Sequence, residues 1–202
     1  MFRYLLIPLL LLTQIADARP PDGGGALPVP NESTEQAYYE QALKRAHSRA
    51  QKIRATRGAL SQAETAPVAL QWPVREAITV TAPTIQAISN FVDQDSSADS
   101  LLDFDCGERT YDGHRGTDIF IAPYSWLKME RDEGIVIAAA DGTIVDRLED
   151  QPERSCSSTD PAGDNNYLVI EHVDGTLALY AHMRNNSLTK KPIGATVQTG
   201  EY

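Results

Sequence analysis

Hydrophobic and polar positions follow three different rhythms along this chain, and each predicts a different kind of element. Tyr4 to Leu12 is an unbroken apolar run behind the basic start Met1-Phe2-Arg3. It is too short to span a bilayer, which takes about 20 residues, and Ala16-Asp17-Ala18 follows with small residues where a signal peptidase reads. The pattern predicts a signal peptide over 1–18, export to the periplasm or beyond the cell, and no membrane span in the mature chain. Residues 19–32 are rich in Pro and Gly and read as a flexible linker.

The second rhythm is helical. In the segment 33–66, Tyr39, Leu43, Ala46, Ala50 and Ile53 recur at steps of four and three and so share one face. Ser33 and Gln36 have the spacing of a capping box at its start, and Gly58 is a plausible stop. The apolar face is thin, being mostly alanine, so the helix is expected to gain stability by packing on the rest of the chain or on a partner. Its basic residues, Lys44, Arg45, Arg49, Lys52, Arg54 and Arg57, read as a solvated face.

The third rhythm is a short alternation broken by turn residues, over 67–202. Ile78 to Thr81 reads as a strand, as does Ile119-Phe120-Ile121, closed by Pro123. Ile135 to Ala138, the dipeptide Asp141-Gly142 and Thr143 to Val145 read as a hairpin. Tyr167 to His172, Asp174-Gly175 and Thr176 to Ala181 read as a second, both with the Asp-Gly signal of a type I′ turn. The fold class expected is therefore mainly β, an antiparallel sheet domain preceded by one helix. Between the second and third of these strands, Trp126, Leu127 and Met129 suggest that 123–133 packs, lining a groove.

Composition narrows the function. Hydrophobic residues at 42% indicate a globular chain, and a formal charge of −10 excludes a nucleic-acid binder, which needs a surplus of Lys and Arg. Export makes Cys106 and Cys156 candidates for one disulfide; the alternative is two free thiols. The bridge would close a loop of roughly 50 residues, worth about 4 kcal/mol in the chain-entropy model.

Four histidines are present, and each can be weighed. His47 belongs to the basic helix and reads as solvated. His172 precedes the Asp174-Gly175 turn and reads as structural. His114 lies between Gly113 and Gly116, where the backbone can bend sharply, and Asp118 follows four residues on at the entry to a strand. Imidazole and carboxylate are a common zinc pair, although the same residues would also make an ordinary turn. His182 ends the strand leaving the second hairpin turn, where it can face the His114 loop.

His114-Arg115-Gly116-Thr117-Asp118-Ile119, Ala139-Ala140-Asp141-Gly142-Thr143-Ile144, Val169 to Gly175, Leu179-Tyr180-Ala181-His182-Met183 and Gly194 to Glu201, in this order, resemble the lysostaphin/LytM-type zinc metallopeptidases. The match runs from about Asp112 to the end, close to half the chain. The resemblance implies an antiparallel β metallopeptidase fold, a Zn2+ cofactor, and hydrolysis of peptide bonds, with peptidoglycan cross-links as the expected substrate and ordinary proteins also conceivable. His114 and Asp118 match the family's zinc-binding pair. His182 matches a histidine that does not bind the metal and positions or stabilises the reacting groups. The family's third ligand belongs to a His-x-His element, and no histidine follows His182. The expectation is that this element lies beyond Tyr202, and that the 202 residues alone bind zinc weakly and are inactive. The rival reading is a non-catalytic regulator or cell-wall-binding module on the same fold.

Overall fold

The computed structural model describes residues 32–57, 67–77, 85–152 and 165–201. The expected leader, linker, Gly58 stop and 78–81 strand fall outside these residues, as does Cys156. The fold is mainly β with antiparallel pairing throughout. A helix, α1 (Glu32–Arg57), precedes β1 (Val74–Glu76), β2 (Ile85–Asn90), β3 (Asp118–Ala122), the short α2 (Ser125–Glu130), β4 (Gly134–Val136), β5 (Gly142–Leu148), β6 (Asn166–His172), β7 (Leu177–Met183) and β8 (Thr196–Val197). β1 pairs with β4, β2 with β3, and the main sheet runs β7-β6-β5-β8.

Helix α1 lies on one face of the main sheet. Ala42, Ala46 and Ala50 are fully buried against Val145, Tyr167 and Val169, flanked by Leu43 and Ile53. Small side chains let the helix axis approach the sheet closely, so a thin apolar face makes a tight contact. The expected solvated basic face forms in part, with Lys44 and Lys52 exposed, while the arginines turn to the sheet. Arg45 and Arg49 pair with Asp146, Arg54 pairs with Glu171, and Arg57 donates to the Gly194 carbonyl. Asp146 is 1% exposed and also accepts from the Tyr167 hydroxyl at 3.1 Å. Two buried acids on the sheet require compensating cations, and the arginines supply them from above. The capping-box contact of Ser33 lies outside the described side chains, and the Gln36 amide donates to the Gly113 carbonyl.

The second hairpin forms as expected, with a different turn. His172 N–H donates to Thr176 O at 2.9 Å and Gly175 N–H to His172 O at 3.0 Å, and of Asp174 and Gly175 only the glycine has positive φ, +84°. That is the three-residue loop with a left-handed third residue rather than a type I′ turn. The first hairpin does not form. β4 pairs with β1, while β5 takes β6 and β8 as its neighbours. Asp141 instead accepts from the Thr199 N–H and hydroxyl at 2.6 and 2.7 Å. Gly142 is needed for proximity, not turning: a Cβ there would lie 2.6 Å from the Glu171 carbonyl oxygen.

Segment 123–133 packs by other side chains than Trp126 and Leu127. Trp126 is 54% and Leu127 39% exposed. Lys128 is the inward residue of α2, its ammonium 3.0 Å from the buried Glu133 carboxylate. The segment thus packs through the aliphatic stem of Lys128, which ends in a paired charge, with Met129 half-buried beside it.

Three strand pairs carry a register shift, between Ile88 and Asn90, between Ile144 and Asp146, and between Asn166 and Leu168 opposite Met183 and Tyr180. An extra residue in one strand reverses the facing of everything beyond it. On β5 the shift turns Asp146 to the α1 side, away from the apolar layer of Ile144, Ile170 and Val197 on the other face.

Candidate metal centre

His114 is held in the loop before β3 from several sides. Gly113, at φ +74°, turns the chain into it, and the Asp93 carboxylate accepts from the Gly113 N–H at 2.8 Å. That bond, the largest influence on the Asp93 carboxyl, holds it below the usual aspartate range. The Asp93 N–H in turn donates to the His114 carbonyl at 2.7 Å. The imidazole stacks on Tyr111, centroids 4.0 Å apart, and is 7% exposed. Its Nδ1 lies 2.8 Å from the Phe91 carbonyl oxygen. A carbonyl can only accept, so Nδ1 carries a proton and Nε2 is the nitrogen turned to the site.

Asp118 is the first residue of β3. The extra residue in β2 sets Asn90 opposite it, and the Asn90 amide donates to Oδ2 at 2.9 Å. Burial pushes the Asp118 carboxyl up, but hydrogen bonds from His114 and Asn90 and the charges of His114 and His182 outweigh it, leaving the group below the usual range. Oδ1 is 3.4 Å from His114 Nε2.

That separation fits a shared zinc ion. Zn–N and Zn–O bonds of about 2.0–2.2 Å at a tetrahedral angle place two ligand atoms roughly 3.4 Å apart. Both groups also have the outer partners that metal ligands use, a carbonyl behind the imidazole and an amide behind the carboxylate. Gly116 leaves the approach open, since a Cβ there would sit 3.4 Å from Nε2. Among the described residues no cluster of three or more His, Cys, Asp or Glu side chains could hold a metal. The structure thus brings together the two expected ligands and no third.

His182 lies on the α1 side of the sheet edge. Tyr180 and Met183 line the recess on the opposite face, whereas Ala181 packs under α1. The extra residue here lets His182, in the left-handed region at φ +55°, turn toward the helix. Its Nε2 is 3.1 Å from the Tyr39 hydroxyl, which also accepts from the Asn165 amide at 2.7 Å. Two more α1 side chains reach the His114 loop: Gln36 bonds Gly113 O, and Glu40 lies 2.9 Å from Arg115. Tyr39 was placed on the correct helix face by its spacing, but its role was not legible there. Asn90, Phe91 and Asn165 had no sequence signal at all, because each acts through a contact set by register.

The remaining histidines lie as expected. His47 is exposed and 3.0 Å from Gln51. His172 is buried, with Nδ1 2.8 Å from the Asp141 carbonyl. Cys106 is exposed and unbonded, and its expected partner Cys156 lies outside the described residues. Among the described residues no helix is long and apolar enough to cross a membrane.

Searches against protein-family models, curated proteins and solved structures found nothing that matches this chain.

Proposed function

We propose that this chain belongs to a zinc metalloendopeptidase of the lysostaphin/LytM type, exported to the cell envelope and directed at peptidoglycan peptide cross-links. The observation that carries the reading is the 3.4 Å approach of His114 Nε2 to Asp118 Oδ1, with each group backed by its own hydrogen-bond partner. Those two side chains would hold the metal. When bound, the ion supplies Lewis-acid chemistry, polarising a carbonyl and acidifying water. The Phe91 carbonyl keeps the His114 Nε2 lone pair directed inward, and Asn90 limits Asp118 to one oxygen at the site. His182 contributes a hydrogen-bonding imidazole on a strained, exposed strand end, suited to a developing oxyanion.

The test is zinc titration, in which the His114–Asp118 pair alone should bind the ion weakly, together with chelator-sensitive cleavage of purified cross-linked muropeptides, which needs a third ligand beside that pair. Bound zinc that is lost in His114→Ala and Asp118→Ala supports the reading, and wild-type protein without measurable zinc affinity overturns it. A second reading, a non-catalytic cell-wall-binding or regulatory module, is favoured by the lack of a third ligand among the described residues. Peptidoglycan binding without hydrolysis, unchanged in His114→Ala, would support that module.

A further inference from the structure

We infer that Asp93 is a positioning residue of the metal pair, pinning the backbone of His114 at both ends, and that it completes a short template for the site running from Asn90 to Asp93. The inference rests on the reading of His114 and Asp118 as metal ligands. The Asp93 carboxylate accepts from the Gly113 N–H at 2.8 Å, and the Asp93 N–H donates to the His114 carbonyl at 2.7 Å. With both ends of the Gly113–His114 unit tied to one residue, the direction in which the His114 side chain leaves the backbone is set. The Phe91 carbonyl, 2.8 Å from His114 Nδ1, then fixes the rotation of the ring. Next to Phe91, the Asn90 amide holds Asp118 Oδ2 at 2.9 Å. One stretch of chain therefore orients both groups. The 3.4 Å between His114 Nε2 and Asp118 Oδ1 is set from a common reference rather than by two independent loops.

The template is itself held from behind. The other Asp93 oxygen accepts from the N–H groups of Asp95 and Leu102 at 3.2 and 3.1 Å, and the Gln94 N–H donates to the Leu102 carbonyl at 2.7 Å. The Phe91 N–H donates to the Arg109 carbonyl at 2.9 Å, and the buried Thr110 hydroxyl donates to the Phe91 carbonyl at 2.8 Å. Phe104 packs edge-on against Phe91, ring centroids 4.6 Å apart. The excursion 94–112 is thus closed at its neck by the same residues that face the site. Every donor to the Asp93 side chain is a backbone N–H, so a carboxylate, which only accepts, suits the position.

The test is zinc titration of the full chain, followed at the ring nitrogens of His114 by NMR, on wild type, Asp93→Ala and Asp174→Ala. Asp174 is a matched control. It too accepts three hydrogen bonds, from the Val68 N–H and from the N–H and hydroxyl of Thr176, in the turn at the far end of β7 from His182. Asp93→Ala should weaken zinc binding by about 10-fold to 100-fold, the usual effect of removing an outer partner, and Asp174→Ala should leave it at the wild-type value. Undiminished affinity in Asp93→Ala, or an equal loss in Asp174→Ala, overturns the inference. A second readout needs no metal. The His114 ring should show a protected Nδ1–H signal in wild type and Asp174→Ala and lose it in Asp93→Ala; a signal kept in Asp93→Ala, or lost in Asp174→Ala, also overturns the inference. Should Asp93→Ala not fold, Asp93→Asn takes its place. Its amide must turn an N–H toward either the Gly113 N–H or those of Asp95 and Leu102, so it should weaken zinc binding by a smaller factor, and undiminished affinity overturns the inference. Absence of zinc binding in wild type defeats the peptidase reading, and the Nδ1–H signal then decides the role of Asp93 by itself.

Discussion

His114 and Asp118 illustrate how two side chains become a candidate site through groups that never touch the ligand. Without Asn90 the Asp118 carboxylate loses its only neutral donor among the contacts that hold its pKa down. Asn90→Ala is therefore expected to weaken zinc binding by about 10-fold to 100-fold, the usual effect of removing an outer partner, read by competition with a metal-sensitive dye. Zinc binding should also weaken as pH falls, because the proton competes with the metal for His114 Nε2. A different carboxylate gives an acid signature unrelated to metal. Hydrogen bonds from the Thr176 hydroxyl, the Val68 N–H and the Thr176 N–H lower the Asp174 carboxyl from 3.8 to about 2. A depressed pKa means its stabilisation is complete above pH 3.8 and is lost as pH falls through about 2. Asp174→Asn should accordingly flatten the slope of thermal stability over that interval and leave neighbouring intervals alone.

Elements explain what the sequence could and could not reveal. Helix α1 was legible because its apolar spacing matches its buried face, and strand β3 and the β6–β7 hairpin because short apolar runs are bounded by turn residues. Pairing partners were not: Asp141-Gly142 looks like a turn, yet β4 and β5 find separate neighbours, and Gly142 is required by the nearby Glu171 carbonyl. Extra residues in strands leave no periodic mark, so the facing of Asn90, Asp146 and His182 could not be read from alternation. The ion pairs of Arg49 and Arg54 are hidden for a related reason, since Asp146 and Glu171 lie 97 and 117 positions away. Two substitutions examine that docking. Ala46→Leu should destabilise by about 1–3 kcal/mol through overpacking, measured by denaturant unfolding. Arg49→Met should cost only about 1–2 kcal/mol, because its side chain is 43% exposed and Arg45 and Tyr167 still face Asp146.

At the scale of the molecule, acidic charge is distributed unevenly in function as well as in position. The net −10 offers no general attraction to an anionic polymer, so recognition of a cell-wall substrate would rest on local shape and hydrogen bonding. Two buried acids, Asp146 and Glu171, lie beneath α1. Their partners join positions far apart along the chain: Arg49 with Asp146, Arg54 with Glu171, and Tyr39 with His182. A helix made early in synthesis must wait for strands made much later, since isolated helices with such thin apolar faces are marginal in water. Closing these long loops is entropically slow relative to forming the β6–β7 hairpin. A chain caught before α1 docks would therefore keep His114 and Asp118 together through Phe91 and Asn90, yet lack the Tyr39, Gln36 and Glu40 contacts to His182 and the His114 loop.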